Sequence, residues 1–247
     1  MTQTEEVFPR APLIEVAYEV RFPNMFYIPQ AIGQFQINIM DGFPKASQLF
    51  TTQFAIEDGV PKFSAEDAGK MVPSWQFESE SGKTKILIRL DRLGIISQEY
   101  NSYDHPSGAK FRDAINKIVT EFLQVVPIKR FERVGLRYID HCPLDEKTNQ
   151  YFKKYYVPMF DIEKNRIEDI VDSHMVIRKR IGAYGLVYQC KIAKIDEKYK
   201  YIMDFDSYAE RVESANFLSV TDELRKIDRS EFFAGITDNF KQYMRGT

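Results

Sequence analysis

The sequence has few of the residues that bind metals or form disulfides. It contains two cysteines and three histidines among 247 residues. Cys142 and Cys190 lie far apart along the chain, and neither belongs to a C-x-x-C pair. Disulfide frameworks and thiolate zinc sites need closely spaced, recurring cysteines, so this pattern argues against both. We therefore expect neither a metal ion nor a cofactor.

An excess of charge of one sign is also missing. Lys plus Arg total 34 and Asp plus Glu total 36, so the net charge is -2. Proteins that coat nucleic acid are usually basic, because they neutralise many phosphates, so nucleic-acid binding here would need a local basic patch.

No run approaches the roughly 18 apolar residues of a membrane helix. The first nine residues lack the basic and apolar regions of a signal peptide, which predicts a cytoplasmic protein without membrane contact.

Motifs of the common enzyme classes are absent from the sequence. It has no P-loop and no G-x-G-x-x-G, G-x-S-x-G or H-E-x-x-H pattern. The most suggestive local group is Asp140-His141-Cys142 at the end of a predicted strand, since a histidine can activate a thiol. Adjacent strand residues point to opposite faces, however, so His141 and Cys142 would not meet. We expect no catalytic residues here, and a binding protein rather than an enzyme.

Aromatic side chains are plentiful, and the remaining pattern alternates between strand and helix. Nineteen Phe, fourteen Tyr and one Trp make up 14% of the chain, enough for a large core. Period-two alternation predicts a half-buried strand at 13–22 and further strands at 74–78, 84–90, 94–100, 131–140, 171–180, 183–194 and 199–206. Helical periodicity occurs at 28–43, 109–126 and 217–244, with Ser107 and Ser230 as predicted N-caps. The segment 44–73 shows poor periodicity and is predicted to be a loop with at most short strands.

These segments predict an α+β fold. Strands joined mainly by hairpins indicate a largely antiparallel sheet, with the long amphipathic helices packed on one face. We treat residues 1–247 as one unit. Within it, the order of elements in 1–145 recurs loosely in 146–247, without a residue-level repeat.

Two pairs of charged residues are the first candidates for a binding surface. Glu15 and Glu19 share one face of the first predicted strand, while Arg133 and Arg137 share one face of another. Opposite charges on neighbouring strands favour cross-strand pairing. If no helix covers their sheet face, these four side chains are available to a protein partner. The leading hypothesis is a non-catalytic binding or regulatory protein, with no prediction of its oligomeric state.

Two alternatives use other residues. The basic run Arg178-Lys179-Arg180 predicts an RNA-binding or RNA-processing face, provided that it converges with Arg133 and Arg137. A pocket between sheet and helices would instead bind a small molecule. The aromatic residues that we expect to line such a pocket are Trp75, Tyr184, Tyr188 and Tyr201.

Several short segments, in order along the chain, resemble a sporadically distributed bacterial protein family of unassigned activity. They include Pro12-Leu13-Ile14-Glu15-Val16, Gly135-Leu136-Arg137-Tyr138-Ile139-Asp140 and Met203-Asp204-Phe205-Asp206. The resemblance spans nearly the whole chain and implies a single family unit. The patchy distribution of the family resembles that of genes that travel with mobile elements or antiphage defence. The resemblance therefore implies a partner within a bacterial defence or toxin–antitoxin-like module.

Overall fold

The dominant element of the fold is one antiparallel sheet with helices on a single face. A computed structural model describes residues 6–52, 55–57, 60–62, 71–100, 102–105 and 109–246, with side chains described outside 51–71. Within these residues the strands are β1 Leu13–Arg21, β2 Lys45–Thr52, β3 Ala55–Glu57, β4 Val60–Lys62, β5 Met71–Glu78, β6 Thr84–Arg89, β7 Arg92–Ser97, β8 Arg130–Pro143, β9 Ser173–Ile181, β10 Tyr184–Ile195 and β11 Lys198–Glu213. The α-helices are α1 Ile28–Ile39, α2 Phe111–Val125, α3 Asn149–Tyr155, α4 Phe217–Ala234 and α5 Asp238–Arg245.

The strand order keeps the strands of 1–145 next to one another and places those of 146–247 together at one end of the sheet. The nine-stranded sheet runs β2-β5-β6-β7-β1-β8-β11-β10-β9, and β3 and β4 form a separate hairpin. The central strands are β1 and β8, which pair with each other; β7 lies beside β1 and β11 lies beside β8. Every described strand pair is antiparallel, which confirms the predicted α+β class. The loose similarity of the two halves stays a prediction.

The core lies between the helices and one face of the sheet. Val16, Tyr18 and Val20 of β1 are buried against a cluster that includes residues of α1, α2 and α4. A second cluster joins β8, β10 and β11 to α3 and α5, for example through Phe152 and Tyr201, whose ring centroids are 4.9 Å apart. Period-two alternation then places the remaining side chains of these strands on the opposite face, where no described helix packs.

The prediction of a loop at 44–73 was wrong for its first part. Lys45–Thr52 forms the edge strand β2, which pairs along its length with β5. Its described side chains are all exposed, so no buried face imposes the alternation by which a strand is recognised. Backbone hydrogen bonds to one neighbour hold this strand in place. Positions 53–54, 58–59 and 63–70 of the predicted loop lie outside the described residues.

The C-terminal helix breaks at a different point from the one predicted. Ser230 lies inside the continuous helix α4, and the break falls between Ala234 and Asp238. Thr237 is the N-cap of α5, with its side chain accepting a hydrogen bond from the Phe240 amide. The predicted cap Ser107 lies outside the described residues, and α2 begins after Lys110 without a side-chain cap.

One side chain of β1 departs from the predicted alternation. Ile14 is 40% exposed, although Val16, Tyr18 and Val20 are buried as expected. The pairing of β1 with β8 shifts register between Leu13 and Glu15, and such a bulge turns the extra residue away from the core. Separately, no helix within the described ranges is long and apolar enough to cross a membrane.

Candidate functional site

The sheet face opposite the helices, here called the open face, carries all four predicted contact residues. Glu15 and Glu19 lie on it from β1, and Arg133 and Arg137 lie on it from β8. Because β1 and β8 are the central strands, these side chains occupy the middle of the sheet. Whether they bind a partner stays a prediction, but the fold brings them together on a sheet face that no described helix covers.

Four arginines stand in one row across the open face. Arg89 of β6 is opposite Arg92 of β7, Arg92 is opposite Arg21 of β1, and Arg21 is opposite Arg133 of β8. We call these four side chains the arginine row. Like charges on directly opposite strand residues destabilise a sheet. The row therefore requires compensation by nearby carboxylates.

Glu19 provides most of this compensation. Arg21 donates to its Oε1 from Nε at 2.6 Å, and the nearest guanidinium nitrogens of Arg92 and Arg133 lie 3.6 Å from its carboxylate oxygens. Arg92 also binds both carboxylate oxygens of Asp91, at 3.0 and 2.8 Å. These contacts lower the pKa of Asp91, chiefly through the hydrogen bonds from Arg92. Arg89 is the exception, since it is exposed and forms no ion pair with any described residue.

Arg133 is held in place on three sides. Its Nη2 donates to Asp206 Oδ1 at 2.6 Å, and its guanidinium carbon lies 4.9 Å from the centroid of the Tyr208 ring. The side chain crosses the backbone of Gly135, where an added Cβ would lie 2.1 Å from its Nη1. Burial raises the pKa of Asp206, and the charge of Arg133 opposes that rise. Arg133 can therefore occupy this position only because residue 135 is a glycine, which has no Cβ.

Arg137 forms a second fixed pair next to the row. Its guanidinium binds both carboxylate oxygens of Asp204, at 2.8 and 2.7 Å, and Asp204 is almost wholly buried. These hydrogen bonds raise the pKa of Arg137, and the negative charge of Glu15 adds to the effect. The bidentate geometry fixes the guanidinium in one orientation.

A groove of about 310 Å³ runs through this surface. Gly94 and Gly135 lie opposite Glu19 on the two neighbouring strands. Because neither residue has a side chain, the floor of the groove on both sides of Glu19 is backbone. Its charged lining consists of Arg21, Arg89, Arg92, Arg133, Arg137, Glu19 and Asp206, five cations and two anions. Asp91 and Asp204 pair with Arg92 and Arg137, which leaves a surplus of one positive charge.

No protein-family model and no curated protein matches this chain.

The basic run of β9 is divided between the two sheet faces. Arg178 and Arg180 lie on the open face, whereas Lys179 lies on the helix face and donates to Glu231 of α4 at 2.6 Å. Arg178 is in the same cross-strand row as Arg137, separated from it by β10 and β11. Four of the five cations of the RNA hypothesis thus share one face. Arg133 and Arg137, however, are already paired with carboxylates.

The four aromatic residues proposed for a pocket belong to two separate core clusters. Trp75 is buried in the cluster of α1 and α2, and Tyr184 packs at its side. Tyr188 and Tyr201 are buried in the other cluster, with their hydroxyl oxygens 3.3 Å apart. The structure does not bring these four side chains to one cavity wall.

His141 and Cys142 point to opposite faces, as alternation predicted. Cys142 is fully buried among the helix-side residues, where burial raises the pKa of its thiol. His141 is on the open face, and partial burial together with the nearby Lys200 lowers its pKa. The two side chains therefore do not form a catalytic pair.

Sequence reasoning missed a cavity on the helix face, beneath residues 6–13. Asp140 of β8 and Asp228 of α4 line it together with Tyr138, Arg225 and aromatic residues. We call this space the carboxyl cavity. Neither was predicted as a site residue: Asp140 belongs to the Asp140-His141-Cys142 group, and Asp228 lies within the predicted helix at 217–244. A signal was present: Asp228 follows Leu224 by four positions and so continues the buried stripe of the helix.

Proposed function

We propose that this protein is a non-catalytic binding protein whose open face holds an acidic segment of a protein partner against the arginine row. The observation that carries the proposal is the alignment of four arginines across four adjacent strands. Such an arrangement is unfavourable for the sheet alone, because the like charges stand directly opposite one another. Arginine clusters of this kind are a recurring means of binding acidic motifs.

Arg89 gives the proposal its point of contact. It is the member of the row that lacks an ion pair among the described residues, and it is exposed at the wall of the groove. A partner carboxylate at Arg89 would give this arginine the opposite charge that carboxylates of the chain give the other three members of the row. Arginine is also over-represented among the residues that dominate binding energy at protein interfaces.

The surrounding carboxylates favour a protein over RNA. Glu19, Asp204 and Asp206 lie between the cations of the open face. A phosphate backbone carries closely spaced negative charges and would meet these carboxylates wherever it crossed the sheet. A folded protein can place single carboxylates opposite single arginines, and the mismatched charges exclude other partners.

The family resemblance extends the proposal to a biological setting. We place the partner among cytoplasmic bacterial proteins of a defence or toxin–antitoxin-like module. The role that we propose for this protein is regulatory, because it would act by binding its partner at the open face and would catalyse no reaction in the groove.

The test compares two polyanions on the same purified protein. A fluorescent oligoglutamate peptide and an oligouridylate of matched charge are titrated in parallel, each across a series of salt concentrations. Arg89→Ala removes the arginine that lacks an ion pair. Lys117→Ala is the matched control, because Lys117 is exposed on α2, on the other side of the sheet.

We expect the peptide to bind more tightly than the oligouridylate, and Arg89→Ala to weaken peptide binding by about tenfold. Lys117→Ala should leave the affinity unchanged. Tighter binding of the oligouridylate would instead support the hypothesis that the open face binds RNA. Equal loss in both variants, or no peptide binding, would refute the proposed contact.

A further inference from the structure

An exposed apolar stripe runs along α1 on the side turned away from the sheet. The buried side of this helix consists of Ile28, Ala31, Phe35 and Ile39. On the outer side Ile37 is 62% exposed and Met40 is 52% exposed, and Phe26, in the turn before the helix, is 79% exposed. With 3.6 residues per turn, Gly33, Ile37 and Met40 lie within about 60° of one another around the helix axis. We call Phe26, Gly33, Ile37 and Met40 the α1 stripe.

The α1 stripe and the residues around it carry no charge. Residues 22–40 contain no Asp, Glu, Lys, Arg or His, although Asp, Glu, Lys and Arg make up 28% of the whole chain. The neighbouring helix α2, by contrast, exposes Asp113 and Lys117. Single exposed apolar residues are ordinary, but an apolar group on one element indicates an interaction surface. Depletion of charge is likewise typical of the core of a protein interface.

Gly33 is not explained by the packing of a single copy of the chain. A Cβ added at this position would meet nothing within 4 Å. Glycine in the middle of a helix destabilises that helix relative to alanine, so its presence here is unfavourable for the monomer. The distance between two packed helices depends on the side chains at their contact, and a glycine lets a second helix approach closely. The position of Gly33 within the α1 stripe therefore indicates a helix as the covering element.

The spacing of the α1 stripe fits a second copy of the same chain. Phe26 and Met40 each lie seven residues from Gly33, in opposite directions. If two α1 helices cross antiparallel with a two-fold axis at Gly33, Phe26 of each copy meets Met40 of the other. A thioether packs favourably on an aromatic ring.

The absence of charge also favours a second copy. In a two-fold symmetric contact the same patch faces itself, so it has to be self-complementary. A charged patch would repel its own copy, whereas the uncharged α1 stripe does not. We propose that this protein forms a homodimer through the α1 stripe, with two antiparallel α1 helices crossing at Gly33.

The size of the stripe indicates weak association. From Phe26 to Met40 it is about 20 Å long. One helix face of this length provides less than the roughly 800 Å² per partner of a standard interface, so we expect a dissociation constant on the order of tens of micromolar. Because α1 lies on the helix side of the sheet, the open face of each copy stays accessible. The dimer therefore does not depend on the function proposed above.

Sedimentation equilibrium on the full chain, at concentrations below and above this dissociation constant, tests the proposal. Ile37→Lys places a charge in the α1 stripe at a side chain that is already largely exposed. Val171→Lys is the matched control, because Val171 is 75% exposed before β9, outside the stripe, and the change in charge is the same. Gly33→Ala fills the crossing point without a clash inside its own copy. Circular dichroism verifies that each variant is folded.

We expect the parent protein to change from monomer to dimer as its concentration rises, and Val171→Lys to do the same. Ile37→Lys should raise the dissociation constant at least about tenfold, because it buries a lysine in the contact. Gly33→Ala should raise it about threefold or more, because the helices can no longer approach as closely. A monomer at every concentration would overturn the proposal and leave the α1 stripe to a different protein. Parent-like association of Ile37→Lys, or loss of association in Val171→Lys, would also overturn it, and unchanged association of Gly33→Ala would refute the crossing at Gly33.

Discussion

Asp140 should make the protein less stable as the pH rises from about 4 to about 7. Burial raises the pKa of this carboxyl from 3.8 to about 7. The charge of Arg225 opposes the rise, and that of Asp204, on the other face of the sheet, adds to it. In the unfolded chain the carboxyl loses its proton near pH 4, whereas the folded protein keeps it until about pH 7. The unfolded state then binds fewer protons, so the free energy of unfolding falls across this window.

The magnitude follows from the difference between the two pKa values. Each pKa unit corresponds to about 1.4 kcal/mol, so a rise of about three corresponds to about 4 kcal/mol. This contribution is fully present below pH 4 and is lost by the time the pH exceeds about 7. It amounts to a large part of the total stability of an ordinary domain, about 5–15 kcal/mol.

Asparagine at position 140 isolates the effect, because it has the shape of the carboxyl and does not titrate. We expect Asp140→Asn to be similar to the parent protein in stability near pH 4 and more stable by up to about 4 kcal/mol near pH 8. Urea unfolding followed by circular dichroism, at several pH values between these limits, measures the difference. Asp172→Asn is the control, since Asp172 is exposed. A stability difference that does not change with pH would refute the reasoning.

Four further substitutions test the backbone and the helix caps. Gly135→Ala should cost about 1–3 kcal/mol, because the new Cβ would displace Arg133, and urea unfolding measures the loss. Gly33→Ala should instead stabilise the protein by about 0.5–1 kcal/mol, since Gly33 lies within α1 and a Cβ there meets nothing within 4 Å. Thr237→Ala should cost about 1 kcal/mol through loss of the α5 N-cap. Ser230→Ala, inside α4, should be neutral or slightly stabilising in the same urea unfolding assay. A larger loss at Ser230 than at Thr237 would contradict the observed position of the break.

Strand faces were predictable because alternation is a local property. The pattern around Val16, Tyr18 and Val20 predicted which side of β1 is buried, and that around Arg133 and Arg137 did the same for β8. The edge strand β2 was not predictable in this way. Its side chains are exposed, so its strand conformation depends on hydrogen bonds to β5 rather than on a hydrophobic pattern.

Helix limits were less predictable than helix positions. The amphipathic stripe of 217–244 continues across the break, because the residues on both sides of Gly235 pack on the same core. Ser230 and Thr237 are both acceptable N-caps by residue type. The interrupted backbone hydrogen bonding decides between them, and it is visible only in three dimensions.

The sequence by itself determined the class of the fold, the two charged stripes and the supply of core residues. These follow from the period of the hydrophobic pattern, which any segment carries alone. The tertiary structure decided the register that aligns Arg89, Arg92, Arg21 and Arg133, and the packing of α4 that brings Asp228 near Asp140. Both arrangements join residues from distant parts of the chain, so they depend on strand order and helix packing, which local periodicity does not encode.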